Sequence, residues 1–195
     1  MKRLIASLAA ITLLAGCFSL VPEQEAPNAL YRLGPVETDT QFAIGHTVLV
    51  RQPEAPRILS GVQMTSRDNN NAIRLIRGVE WADRAPRLMQ LTVLDYLGTN
   101  GGGAAILPET GARADFELSW RVSEFSLQGN IAIGVAELTL LDGRTRKPLR
   151  QMTVTSRRTA DSGQPSSRAQ ALAEAGRDLS RQAAGFIAEV SSARS

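Results

Sequence analysis

Phe116, Leu118, Trp120 and Val122 alternate with Glu117, Ser119, Arg121 and Ser123. A period of two places successive side chains on opposite faces of a strand, so this run has one face for burial and one for water. The pattern resumes over Ile131 to Leu140 after Gln128-Gly129-Asn130, and over Leu149 to Arg158 after Asp142-Gly143-Arg144. Both breaks hold turn-forming residues, and the Asp-Gly pair predicts a tight hairpin. The chain therefore contains three long antiparallel strands in succession, and the rest of the fold has to cover one face of the sheet they form.

Two segments have the helical period to do so. Pro86 suits a first helical turn, and Leu88, Leu91, Val93, Leu94 and Leu97 follow at mainly three- and four-residue spacing until Gly98. A longer helix starts near Ser166 or Ser167, both good caps, with Leu172, Gly176, Leu179, Ala183, Phe186, Ile187 and Val190 on one stripe. The class is α+β, a mixed, mostly antiparallel sheet with two amphipathic helices packed on one face.

Shorter strands precede these elements. His46 to Arg51 reads as a strand before a Pro-containing turn, and Val62 to Arg67 with Ala72 to Arg77 as a hairpin about Asp68-Asn69-Asn70-Asn71. Val62 and Met64 share a face, as do Ile73 and Leu75, whereas Arg74 falls opposite, which predicts one buried and one wet side. Gly101-Gly102-Gly103 leads into a short strand, Ala104 to Leu107, completing a strand–helix–strand crossover. No Lys-Ser/Thr follows those glycines and no helix begins there, so they are a linker and not a phosphate loop.

The amino-terminal segment is of another kind. Met1-Lys2-Arg3 precedes an apolar run, Leu4 to Leu14, too short for a bilayer core that takes about 20 residues. It ends in Leu14-Ala15-Gly16-Cys17, which resembles the bacterial lipobox, so the thiol of Cys17 is the expected lipidation site. Residues 1–16 read as a lipoprotein signal peptide, 17–29 as the lipidated cysteine and a flexible tether, and 30–195 as a single periplasmic domain. Phe18 stands where an Asp would favour the inner membrane, which implies an anchor in the outer membrane facing the periplasm. Each buried CH₂ of an acyl chain contributes about 0.8 kcal/mol, so the usual three chains hold the protein on the membrane permanently.

Without Lys2 and Arg3 the 22 basic residues fall to 20, against 19 acidic ones. The arginines are interspersed with acids, as in Glu80-Trp81-Ala82-Asp83-Arg84, where a nucleic-acid binder would gather them in a patch. No nucleic-acid partner is expected. Cys17 is the one cysteine, so the fold is stabilised by packing and not by disulfides.

Catalytic chemistry finds little to work with. Nucleophilic hydrolysis needs a nucleophile, a base and an orienting group, yet His46 is the single histidine and no Gly-x-Ser-x-Gly occurs. Zinc would need three or four His or Cys ligands. Glu80 with Asp83, and Glu137 with Asp142, read as solvated charges, and Trp81 and Trp120 as core anchors. No enzymatic activity, cofactor or metal is expected.

Three stretches carry a resemblance. Tyr31-Arg32-Leu33, Pro53-Glu54-Ala55-Pro56, and Val79 to Gln90 with its Trp-Ala-Asp and Pro-x-Leu-x-Gln runs resemble the auxiliary lipoproteins of ABC-type lipid transport systems. Arg57-Ile58-Leu59-Ser60-Gly61 departs from that pattern, where relatives often have an Asp-containing turn. The resemblance implies a non-enzymatic partner of a mammalian-cell-entry-domain protein with its ABC permease and ATPase. Its task would be to help move phospholipids or similar hydrophobic solutes between the membranes by docking the transporter to the outer membrane. It also implies a homo-oligomeric ring as one form of assembly. The hairpin edge at Val62 to Arg77, or the strands from Phe116 to Arg158, would accept a partner strand. A structural lipoprotein of another envelope machine, of lipopolysaccharide-assembly or secretin-pilot type, is one alternative, and a soluble-ligand or lipid-binding module, which would require an internal apolar cavity, is another.

Overall fold

The structure, a computed structural model, describes residues 27, 29–35, 41–98 and 101–193. The expected signal peptide, Cys17 and most of the expected tether lie outside the described residues.

The three long strands are β8 (Phe116–Gln128), β9 (Ile131–Asp142) and β10 (Pro148–Thr159), each antiparallel to the next. Gln128 pairs with Ile131, which leaves Gly129-Asn130 as a two-residue turn. Gly129 has φ +60 there, the conformation that a primed hairpin turn requires at its first central residue. The second connection is looser than its Asp-Gly pair predicts, because residues 143–147 all lie between the strands. The Asp142 carboxylate accepts the backbone N–H groups of Arg144 and Thr145 and the Thr145 hydroxyl, and Arg146, not Gly143, takes the left-handed conformation (φ +61). Gly143 is needed for closeness, since a Cβ would collide with the Ala114 carbonyl oxygen.

On its other edge β8 is shared by two strands laid end to end. β3 (Thr47–Val50) runs parallel to Phe116–Leu118, Glu54 bridges to Arg121, and β4 (Gln63–Arg67) runs parallel to Leu127–Gln128. A 3₁₀ turn at Arg57–Leu59 interrupts the segment between them. Beyond β3 lies β7 (Ala104–Ile106), parallel to it; beyond β4 lies β5 (Ile73–Trp81), antiparallel, with β1 (Ala29–Tyr31) parallel to β5 at the outer margin. β2 (Phe42–Ala43) and β6 (Leu97–Gly98) form a separate small pair. Since β4, β8, β3 and β7 share one direction, β5 runs opposite to β7. The expected strand–helix–strand crossover is therefore absent; the helix links two antiparallel strands.

Two register shifts decide which side chains enter the core. Between Val122 and Glu124 the β8 register slips, so the buried set changes phase from Val122 to Phe125 and Leu127. In β5, Gly78 at φ +80 separates Ile76, buried, from Val79 and Trp81, also buried. Ile73 and Leu75 then fall on the opposite side and are exposed, against the sequence expectation that they share the buried face.

Both helices cover one face. α1 (Ala85–Tyr96) has Pro86 in its first turn, but it buries Met89, Val93 and Tyr96, with Leu88, Leu91 and Leu94 half-buried at the flank. Gln90 sets this rotation: fully buried, it donates its amide to the Val50 carbonyl at 2.8 Å. α2 (Pro165–Ser192) starts ahead of the expected caps, behind an extended Gln164, while the Ser167 hydroxyl accepts the Ser162 N–H. Its predicted stripe, Leu172 to Val190, is buried throughout. Gly176 lets it approach closely, since a Cβ would stand 2.8 Å from Leu33 and 3.0 Å from Phe125. Each large apolar side chain buried here contributes about 1.5–3 kcal/mol.

Candidate functional site

The residues considered for chemistry occupy separate structural posts. His46 stands before β3, edge to face with Phe116 at 5.2 Å and with Nδ1 3.9 Å from Asp115. Trp120 donates its indole N–H to the Arg51 carbonyl, and Trp81 stacks on Phe125 at 5.6 Å; both are core anchors, as expected. Glu137 binds Arg121 across the strands, Asp142 organises its turn, and the Asp83 carboxylate accepts the Arg84 N–H. Among the described residues no three His, Cys, Asp or Glu side chains gather closely enough to hold a metal ion. No helix there is long and apolar enough to cross a membrane.

Two ion-pair clusters escaped the sequence reading. Glu117, placed by alternation on the wet face, is buried and bound by Arg51 and Arg146. It ties β8 to the segment after β3 and to the loop before β10. On α2, Asp178 accepts the Ser156 hydroxyl at 2.8 Å and pairs with Arg158 and Arg181, joining the helix to β10. Burial pushes the Asp178 carboxyl up, but the Ser156 and Arg181 hydrogen bonds and the Arg158 charge outweigh it and hold it below the ordinary carboxylate value. The Glu117 cluster has no local signature, because its partners lie 66 and 29 residues away, and of the Asp178 ion-pair partners only Arg181, three residues on, is local.

What the arrangement offers is surface, and among the described residues the longest open edge belongs to β10. In an antiparallel ladder alternate residues send both N–H and C=O toward the same neighbour. The Thr155 carbonyl accepts the Gln182 amide and the Arg157 carbonyl the Arg158 guanidinium, so odd-numbered residues face away from β9. Gln151 and Thr153 thus present their backbone groups outward, beside a shallow hollow of about 280 Å³ lined also by Glu137 and Thr139. Of the arginines along the strand, Arg150 is held by Glu189 and Arg158 by Asp178, while Arg157 has no acidic partner among the described residues. The hairpin edge is less open: β4 is paired on both sides, and β1 covers Val79–Trp81 of β5.

The family model for the ABC-type transport auxiliary lipoprotein component matches residues 31–184. The chain belongs to that family. A comparison with curated proteins found no match. Among solved structures, a Xanthomonas campestris protein of family model DUF330 is 19% identical, with 87% of this chain and 97% of that one covered and a TM-score of 0.69. A Chlamydia trachomatis protein is 9% identical, with 75% and 99% covered and a TM-score of 0.50. These likenesses concern the fold.

The stretches that carried the resemblance hold this auxiliary lipoprotein together. Leu33 fills the space left by Gly176, and Glu54 exchanges backbone hydrogen bonds with Trp120 and Val122 along β8. Trp81 and Gln90 lock β5 and α1 to the core. The departing stretch, Arg57 to Gly61, holds the 3₁₀ turn, whose Ser60 hydroxyl donates to the Ala55 and Pro56 carbonyls.

Proposed function

We propose that this auxiliary lipoprotein is a non-enzymatic component of a mammalian-cell-entry type lipid transport system, anchored through Cys17 to the outer membrane and facing the periplasm. The observation that carries the reading is the family match over 31–184. The open β10 edge supplies a way to act on it. A partner strand laid along Gln151 and Thr153 would gain main-chain hydrogen bonds, with the hollow beside it selecting side chains. The anchor confines the domain to a thin layer, so a modest intrinsic affinity suffices to dock the transporter's periplasmic portion.

Photo-cross-linking in intact cells tests this. A photoreactive residue at Gln151 or Thr153 is expected to capture a mammalian-cell-entry-domain protein, with its permease and ATPase recovered in the same purification. Capture of a secretin or of lipopolysaccharide machinery would overturn the reading. Thr153→Pro, which removes one outward N–H and leaves the β9 pairing in place, should reduce the capture at least fivefold.

A further inference from the structure

Five large apolar side chains are exposed among the described residues, and four of them share one surface. Ile73 is in register with Arg67, Arg67 with Gln128, and Gln128 with Ile131, so these four side chains form a row on the face that carries no helix. Leu75 lies two residues along the same side. Leu30 is in register with Glu80, which faces away from the buried Val79 and Trp81. Leu30, Ile73, Leu75 and Ile131 are 62%, 49%, 54% and 39% exposed. Arg77 and Arg157 share this face without an acidic partner among the described residues, whereas Arg67 is held by Glu124.

We propose that this face rests on the membrane that holds the acyl chains of Cys17, with Leu30, Ile73, Leu75 and Ile131 entering the headgroup region and Arg77 and Arg157 meeting lipid phosphates. Three observations select a lipid surface as the occupant. Apolar side chains with two unpaired arginines on the same face, against one acid there without an ion pair, Glu80, match the interface of an anionic bilayer. Leu30 belongs to β1, which starts at Ala29, twelve residues after Cys17. A tether of that length spans at most about 40 Å, so the margin where the chain enters the fold stays within that reach of the bilayer. The inference rests on lipidation at Cys17, and one arm of its test omits the lipid so that the two can fail separately.

Cys17 is the one native cysteine and its thiol is blocked when acylated, so Ile73→Cys or Ile131→Cys can be labelled with an environment-sensitive fluorophore in the full-length lipoprotein. In vesicles containing phosphatidylglycerol and a lipid-borne quencher, labels at 73 and 131 should be quenched at least threefold more than a label at Gln170, exposed on α2. Equal quenching at all three sites would overturn the docking and leave the anchor intact. In the second arm, Cys17→Ser protein should float with phosphatidylglycerol vesicles and not with phosphatidylcholine ones, and Ile73→Asp with Leu75→Asp should lower that binding at least tenfold. Absence of flotation would overturn the proposal, as would a loss of oligomer mass in the double variant, which would make the face an interface between copies.

Discussion

The two faces of the sheet carry similar residues and use them differently. On the helix-covered face Leu127, Ala136, Leu138 and Val154 meet Leu172, Leu179 and Phe186 of α2, and all are buried. On the other face Ile73, Leu75 and Ile131 are as apolar as those and remain exposed. Hydropathy alone does not tell the faces apart. Burial follows from whether a second layer can approach, and here the approach depends on Gly176 and Gly134, where a Cβ would strike Leu33 and Leu179 respectively.

The largest expected effect tests the covered face. Leu179→Ala should lower unfolding stability by about 2–5 kcal/mol, read as a shift of the urea midpoint, because the closely packed helix cannot collapse into the cavity. Glu117→Ala should cost about 1–3 kcal/mol by the same measurement although Glu117 stands on the other face, since its buried carboxylate joins three segments. A cost below about 0.5 kcal/mol would show that Arg51 and Arg146 are served equally well by water.

Asp178→Asn should cost about 1 kcal/mol at neutral pH, and this effect has a sign in pH. A carboxyl held below its ordinary value adds stability above that value and loses it as pH falls through the depressed one. Wild type and variant should therefore differ at pH 7 and converge in acid. Asp95, pushed up by burial, acts in the opposite direction and moderates the acid loss. The smallest change is expected on the open face: Leu75→Ala should alter stability by less than about 0.5 kcal/mol while weakening vesicle binding. A large loss of stability there would mean that the two faces are less distinct than their burial suggests.

The long strands, the break at Gln128-Gly129-Asn130, the hairpin about Asp68 and the buried stripe of α2 were legible because each is set by neighbours within one or two turns of chain. The acid-bearing turns are also local: backbone N–H groups of Ala72 and Asn70 hold the Asp68 carboxyl below its ordinary value, and those of Thr145 and Arg144 do so at Asp142. The rotation of α1 was not legible, because a polar residue, Gln90, is drawn inward by the carbonyl of Val50, forty positions away. Sequence alone determined the alternating meander and the amphipathic helix that covers it. Tertiary structure decided that β3 and β4 share one edge of β8, that Glu117 is buried, that Ile73 and Leu75 face outward and that β10 is left open. Periodicity records which side chains share a face, whereas register shifts and pairings between distant segments decide what that face meets.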